Sequence, residues 1–162
     1  MATKPTSYPA ATGEAAKTVA EHAGERDLVF WGAWRGWIAL EEKGVQYQYK
    51  EVNPYNKPAE LFEINPKGLV PILQNTTTKE ITADSLAILK YLEEAYPSPS
   101  LLPSSTADKA IAEHWLSHIN TILIPFFFRL MQAQPSNAPQ LAKALEGFTT
   151  ALALVSAARK EG

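Results

Sequence analysis

Asn65-Pro66-Lys67-Gly68-Leu69-Val70-Pro71-Ile72-Leu73-Gln74-Asn75, a polar connector, then Glu80-Ile81-Thr82-Ala83-Asp84-Ser85: this stretch decides the fold. It reads as a turn, a strand, a second turn, a second strand and the start of a helix. Val70, Ile72 and Leu73 form a short apolar β run, and residues 75–79 are polar. Pro71 stands at the front of that run, where a residue without an N–H leaves the ladder intact. A cis Val70–Pro71 bond would turn the chain sharply and free Val70's N–H and C=O from its own sheet. Those groups can then pair with an extended peptide laid alongside as an added strand. Ser85 heads an amphipathic helix with Leu86, Leu89, Leu92 and Tyr96 on its apolar side. A serine cap and a helix N-terminus hold a carboxylate, and Asp84 beside them takes an amine. Together they describe a receptor for a small peptide with an α-amino acid end. The bland alternatives are an ordinary trans proline at a strand start and a plain helix cap.

Outward from this stretch the chain falls into four spans. Residues 1–26, rich in Ala, Thr, Pro and Gly, are expected to be a mobile or loosely docked extension with a short helix near 14–22. Residues 27–31 read as a buried strand. Trp34, Trp37, Ile38 and Leu40 follow helical spacing, Glu41-Glu42-Lys43 reads as a solvated face, and Gly44 is a C-terminal cap. Residues 46–52 read as a strand, 53–58 as a loop and 59–64 as a short helix. The order βαβ–ββα over 27–97 is that of a thioredoxin-like domain. A Pro/Ser linker at 98–105 follows, then a helical span at 106–162, with Thr106 as the expected N-cap and Pro125 expected to kink or break the first helix.

Composition narrows the function. The chain has 162 residues, 46% hydrophobic and 20% charged, as in a globular protein. A net charge of −2 gives no basis for nucleic-acid or anionic-membrane binding. The longest apolar runs are too short to span a bilayer, and the first residues carry neither a signal nor a transit pattern. A cytoplasmic location is the default. No cysteine is present, which excludes disulfides and protein-borne thiol chemistry. His114 and His118 share a helix face at i, i+4, but no third ligand stands near, so no metal is expected. Trp31, Trp34 and Trp37 read first as core or interface aromatics, and the Phe126-Phe127-Phe128 run as core.

The motif from Asn65 to Pro71 followed by Asp84-Ser85 resembles the ligand site of the cytosolic glutathione transferases, the omega-like class in particular, with a resemblance covering about 27–134. It implies an α/β thioredoxin-like N-terminal domain plus an all-α C-terminal domain, truncated here. It implies glutathione as ligand or substrate. Val70, before a cis Pro71, would clamp the cysteinyl part. Asp84 and Ser85 would hold the γ-glutamyl end, and Lys57 would reach the glycine carboxylate. Phe128 and Arg129 fall where the family lines its pocket for a small hydrophobic electrophile. Homodimers are common in the family.

The resemblance lapses where the chemistry would be. Omega-like members carry a Cys-Pro in the loop after the first strand, at a helix N-terminus that favours thiolate. Here that loop reads Trp31-Gly32-Ala33-Trp34-Arg35, with no Cys, Ser or Tyr, as if a short deletion had removed the nucleophile. Arg35 is the remaining catalytic candidate. Two functions stay open: conjugation of glutathione to a small electrophile, or a non-catalytic glutathione-binding or protein-interaction module. Cys-dependent thiol transfer is expected to be absent.

Overall fold

The run Leu-Val-Phe-Trp has no polar face, so a strand made from it must be covered on both sides. The computed structural model, which describes residues 10–32, 34–134 and 136–161, places it at the centre of a sheet. That strand is β1 (Leu28–Trp31). Its neighbours are β2 (Gln48–Lys50), parallel to it, and β3 (Ile72–Asn75), antiparallel; β4 (Ile81–Ala83) pairs antiparallel with β3. The order is β2-β1-β3-β4.

Alternation along β1 divides the core. Leu28 and Phe30 pack with Ala39, Leu40, Leu73, Ile88 and Leu92, under α2 (Trp34–Glu42) and α4 (Ser85–Ala95). Val29 and Trp31 pack with Leu61 and Ile72 on the other face, under α3 (Ala59–Ile64). Phe30 is fully buried, a contribution of about 1.5–3 kcal/mol. Helix α2 can press this close because Gly36 is on the contact: a Cβ there would lie 2.7 Å from Phe30 Cε2. A Schellman turn ends α2. Gly44 has φ +61°, its N–H donates to Glu41 O at 2.9 Å, and Val45 N–H donates to Leu40 O at 3.1 Å. Trp31 is buried as expected, but Trp34 is 73% exposed, so the tryptophans are not one core cluster.

Residue 43 corrects the solvated-face reading of 41–43. The Lys43 side chain is fully buried, and its Nζ donates to Glu93 Oε1 at 2.7 Å and to the carbonyls of Tyr96 and Pro99 at 2.8 Å each. Glu93 also accepts from Leu101 N–H at 2.8 Å and Ser100 Oγ at 2.9 Å. A lysine at the last turn of one helix thus ties α2, α4 and the turn after α4, which holds a cis Ser98–Pro99 bond. Helix-face periodicity shows where a side chain starts, not where a four-carbon stem ends.

Within 10–26, α1 (Gly13–Glu21) runs into His22 and is tied to β2. Tyr49 N–H donates to His22 O at 2.9 Å, and Ala11 N–H donates to Glu51 Oε1 at 2.7 Å. The His22 ring stacks on Tyr47 with centroids 4.0 Å apart, and Tyr47 Oη donates to Glu41. Burial first, then that bond to a carboxylate, pushes the Tyr47 phenol far above its ordinary range. The rest of the expected extension, 1–9, lies outside the described residues.

The chain divides into two compact units, 1–101 and 102–162. The second holds α5 (Thr106–His118), a π turn at Ile119–Leu123, α6 (Ile124–Gln132) and α7 (Ala138–Glu161). Ser105, not Thr106, caps α5, accepting from Asp108 N–H at 3.0 Å. Pro125 does not break the helix. The π turn just before it absorbs the missing donor, so the helical run reaches Gln132. Phe127 and Phe128 are 40% and 54% exposed, contrary to a core reading of the triplet. Phe126 sits against Gly147 of α7, where a Cβ would come 2.2 Å from its ring. The stretch 138–158 is also long and apolar enough to cross a bilayer by length and composition alone, because Lys143 and Glu146 interrupt it without outweighing its Ala and Leu.

Candidate functional site

Strand register brings the candidate residues to one end of the sheet. Trp31 pairs with Lys50 on one side and Ile72 on the other, and Ile72 pairs with Ala83. Lys50, Trp31, Ile72 and Ala83 therefore form one row across four strands. Beyond that row the chain continues through Glu51 towards Lys57, through Gly32 into α2 with Arg35, back from Ile72 to Pro71 and Val70, and through Asp84 to Ser85. The mix of parallel and antiparallel pairing gives this result. Strands β1, β2 and β4 end at this row, and β3 begins there.

The Val70–Pro71 bond is cis. Val70 precedes the first ladder pair of β3, and its backbone N–H and C=O have no hydrogen-bond partner among the described residues. Leu69 and Val70 are 60% and 36% exposed, so this turn lies at the surface. Gly68 sets up the approach. It has φ +59°, and a Cβ there would lie 2.7 Å from Phe62 Cε1.

At α4 the division of labour differs from the sequence reading. Asp84, not Ser85, is the N-cap: its Oδ1 accepts from Leu86 N–H at 2.8 Å and from Ala87 N–H at 3.4 Å. Asp84 holds φ +80°, a backbone conformation L residues rarely adopt. Its Oδ2 makes no hydrogen bond among the described residues. Ser85 is the first helical residue, 4% exposed, and its hydroxyl has no partner among the described residues. A carboxylate oxygen, a hydroxyl and the Ser85 N–H, the first of the helix, thus meet at one point, suited to an amine and a carboxylate together.

Three comparisons bear on this arrangement. Residues 33–95 match the family model described as glutathione S-transferase, N-terminal domain. The chain belongs to the glutathione transferase family. Its relatives within that family include glutathione S-transferase omega-1 of Mus musculus, 36% identical over 116 residues, covering 70% of this chain and 47% of that protein. The omega-1 protein of Rattus norvegicus is 42% identical over 78 residues, covering 48% of this chain and 32% of the relative. Among solved structures, glutathione transferase Omega 3C from Trametes versicolor superposes with a TM-score of 0.78 and 40% identity, covering 88% of this chain and 66% of that one. A rice glutathione transferase solved in complex with glutathione has a TM-score of 0.68 and 28% identity, covering 83% and 64%. The chain spans about half or less of the curated relatives it matches. The thioredoxin-like sheet, the helical second unit and the omega-like character are those of this family.

The other candidates are spread more widely. Lys57 is half-buried in the loop between β2 and α3, with no ion pair among the described residues. Arg35 is the second residue of α2 and half-buried. Phe128 and Arg129 lie on α6 in the second unit, Arg129 with its guanidinium 5.0 Å from the Phe126 ring centroid. Among the described residues no group of three or more His, Cys, Asp or Glu side chains could hold a metal. His114 and His118 instead flank Trp115, each ring edge-on at 5.5 Å. What sequence reasoning missed is the capping role of Asp84. An Asx residue followed by an apolar run was the available signal.

Proposed function

We propose that the chain binds glutathione along the row at the end of the sheet. Val70's free backbone groups, beside cis Pro71, pair with the cysteinyl residue. Asp84 Oδ2 takes the α-amine of the γ-glutamyl end, and the Ser85 hydroxyl and N–H take its carboxylate. Lys57 takes the glycine carboxylate. The scale suits the ligand: a tripeptide extends about 10 Å, and two strand spacings are about 10 Å. The observation that carries this reading is the shared end of the strands, with Val70's free backbone and the capped helix both at it. The protein then acts in the cytoplasm as a transferase, with α2's first N–H groups and Arg35 favouring the glutathione thiolate for attack on a small electrophile. Calorimetric titration with glutathione tests the binding. Ser85→Ala should weaken it by about 1–3 kcal/mol; unchanged affinity in both Ser85→Ala and Asp84→Asn would remove the γ-glutamyl site.

A second reading is favoured by one observation, the absence of Cys from the chain and of any hydroxyl from the β1–α2 connection. On it, the protein binds glutathione without catalysis, alone or paired with a second copy or another protein. Ultraviolet titration of the bound thiol and an aryl-halide conjugation assay separate the two. A thiol no more acidic than free glutathione's, with no turnover, leaves the non-catalytic reading.

A further inference from the structure

A cavity of about 470 Å³ opens between the N-terminal segment and the β1–α2 junction, and none of Val70, Pro71, Asp84 or Ser85 lines it. That volume lies in the range of small-molecule sites. Ala11 and Ala15 line it from the N-terminal side, and Trp34, Trp37, Tyr49 and Glu51 also border it. Trp37 and Tyr49 stack with centroids 4.8 Å apart and planes 25° from parallel, and Trp34 continues the row, 6.0 Å from Trp37. Trp34 remains 73% exposed, an indole face open to a further ring.

The polar groups there share one character. Glu51 Oε1 accepts Ala11 N–H, and its Oε2 is left over. The Tyr49 hydroxyl has no partner among the described residues, and it stands where a Cβ on Gly32 would be only 2.5 Å away. Burial first, then the charge of Glu51, push the Tyr49 phenol up, so it stays neutral. Among the described residues, no Lys, Arg or His lines the cavity. An aromatic wall with a carboxylate and no cation favours a flat, positively charged ring system, through stacking, cation–π attraction and a charge-assisted hydrogen bond.

We infer that this cavity is a second small-molecule site, bordering the α2 N-terminus and not lined by the clamp at Val70, Pro71, Asp84 and Ser85, that takes a planar aromatic cation between the N-terminal segment and the Trp34–Trp37–Tyr49 wall, with Glu51 as its counter-charge. The test is a titration of the full chain with 9-aminoacridine, followed by tryptophan quenching and dye anisotropy, with naphthalene-1-sulfonate as the anionic comparator of similar shape. Saturable 9-aminoacridine binding is expected, at least tenfold tighter than the sulfonate's. Glu51→Gln, which keeps an oxygen for Ala11 N–H, should weaken it about tenfold, and Ala15→Phe should abolish it by filling the space. Circular dichroism melts establish that both variants are folded; if Ala15→Phe is not, Trp34→Ala replaces it, with a several-fold loss expected. Saturating glutathione should leave the dye's affinity unchanged. No saturable binding, equal binding of the sulfonate, unchanged affinity in folded Glu51→Gln, or displacement by glutathione would each overturn the inference. The dye readout does not depend on glutathione binding, so failure of that reading leaves this one standing.

Discussion

Replacing Lys43 with Met isolates the buried tie between α2, α4 and the turn that follows. Methionine keeps most of the stem's volume and removes the ammonium. Three bonds go at once: 2.7 Å to Glu93 Oε1 and 2.8 Å to each of the Tyr96 and Pro99 carbonyls. Breaking a buried pair from one side costs about 3–5 kcal/mol, because the partner charge stays behind. Glu93 is 18% exposed on its side chain and keeps the Leu101 N–H and Ser100 Oγ bonds, so the low end applies, about 3 kcal/mol. In a unit of about a hundred residues that is about 12–24 °C in Tm. Urea denaturation, followed by far-ultraviolet circular dichroism, measures it. The companion Lys43→Met/Glu93→Leu should recover more than half, since no charge is stranded and the Leu101 and Ser100 groups reach water. The pH dependence has a fixed sign. Burial raises the Glu93 pKa, but the hydrogen bonds from Lys43, Leu101 and Ser100 and the Lys43 charge outweigh it and hold the carboxyl below its ordinary value. A depressed folded-state pKa contributes stability above the unfolded value of about 4.3 that is lost as pH falls. The gap between wild type and Lys43→Met should thus be full above about pH 5 and close in acid. A loss under about 0.5 kcal/mol at neutral pH, or a double variant no better than the single one, would refute the buried-tie account.

Two further perturbations follow from the geometry. Asp84→Ala removes the cap of α4 and should cost about 1 kcal/mol, whereas Asp84→Gly should cost only a few tenths, since glycine also relaxes the φ of +80°; thermal melts that rank the two variants the other way would contradict the capping geometry. Gly147→Ala places a Cβ 2.2 Å from Phe126 Cε1, so despite alanine's helix propensity it should destabilise the second unit by about 1–3 kcal/mol, and a higher melting temperature would show that the α6–α7 contact is looser than drawn.

The sheet was legible because its signals are local. Leu28 to Trp31 has no polar position, residues 72–75 and 81–83 flank a polar turn, and Gly44 sits where a helix must stop. The βαβ–ββα order followed from these, and the family resemblance from the motif at 65–71 and 84–85. Lys43 was misread because its burial comes from three acceptors that α4 and the next turn supply, none of them near it in sequence. Asp84 and Ser85 exchanged roles because capping depends on a φ angle, which composition does not carry. Trp34 read as a core or an interface aromatic; it is exposed, and its neighbours across the cavity are alanines of the N-terminal segment. Pro125 looked like a break because the rule assumes an α-helical turn before it, and here that turn is π.

That π turn sets more than the path of the helix. It holds one residue more than an α turn covering the same rise, which offsets every later position by roughly 100° about the axis. Three phenylalanines in succession point in three directions, and the offset selects which one meets the gap left by Gly147. Shortening the chain by a single residue between 119 and 123 would advance the selection by one place and present a different ring to α7, with the composition of the contact almost unchanged and its fit lost.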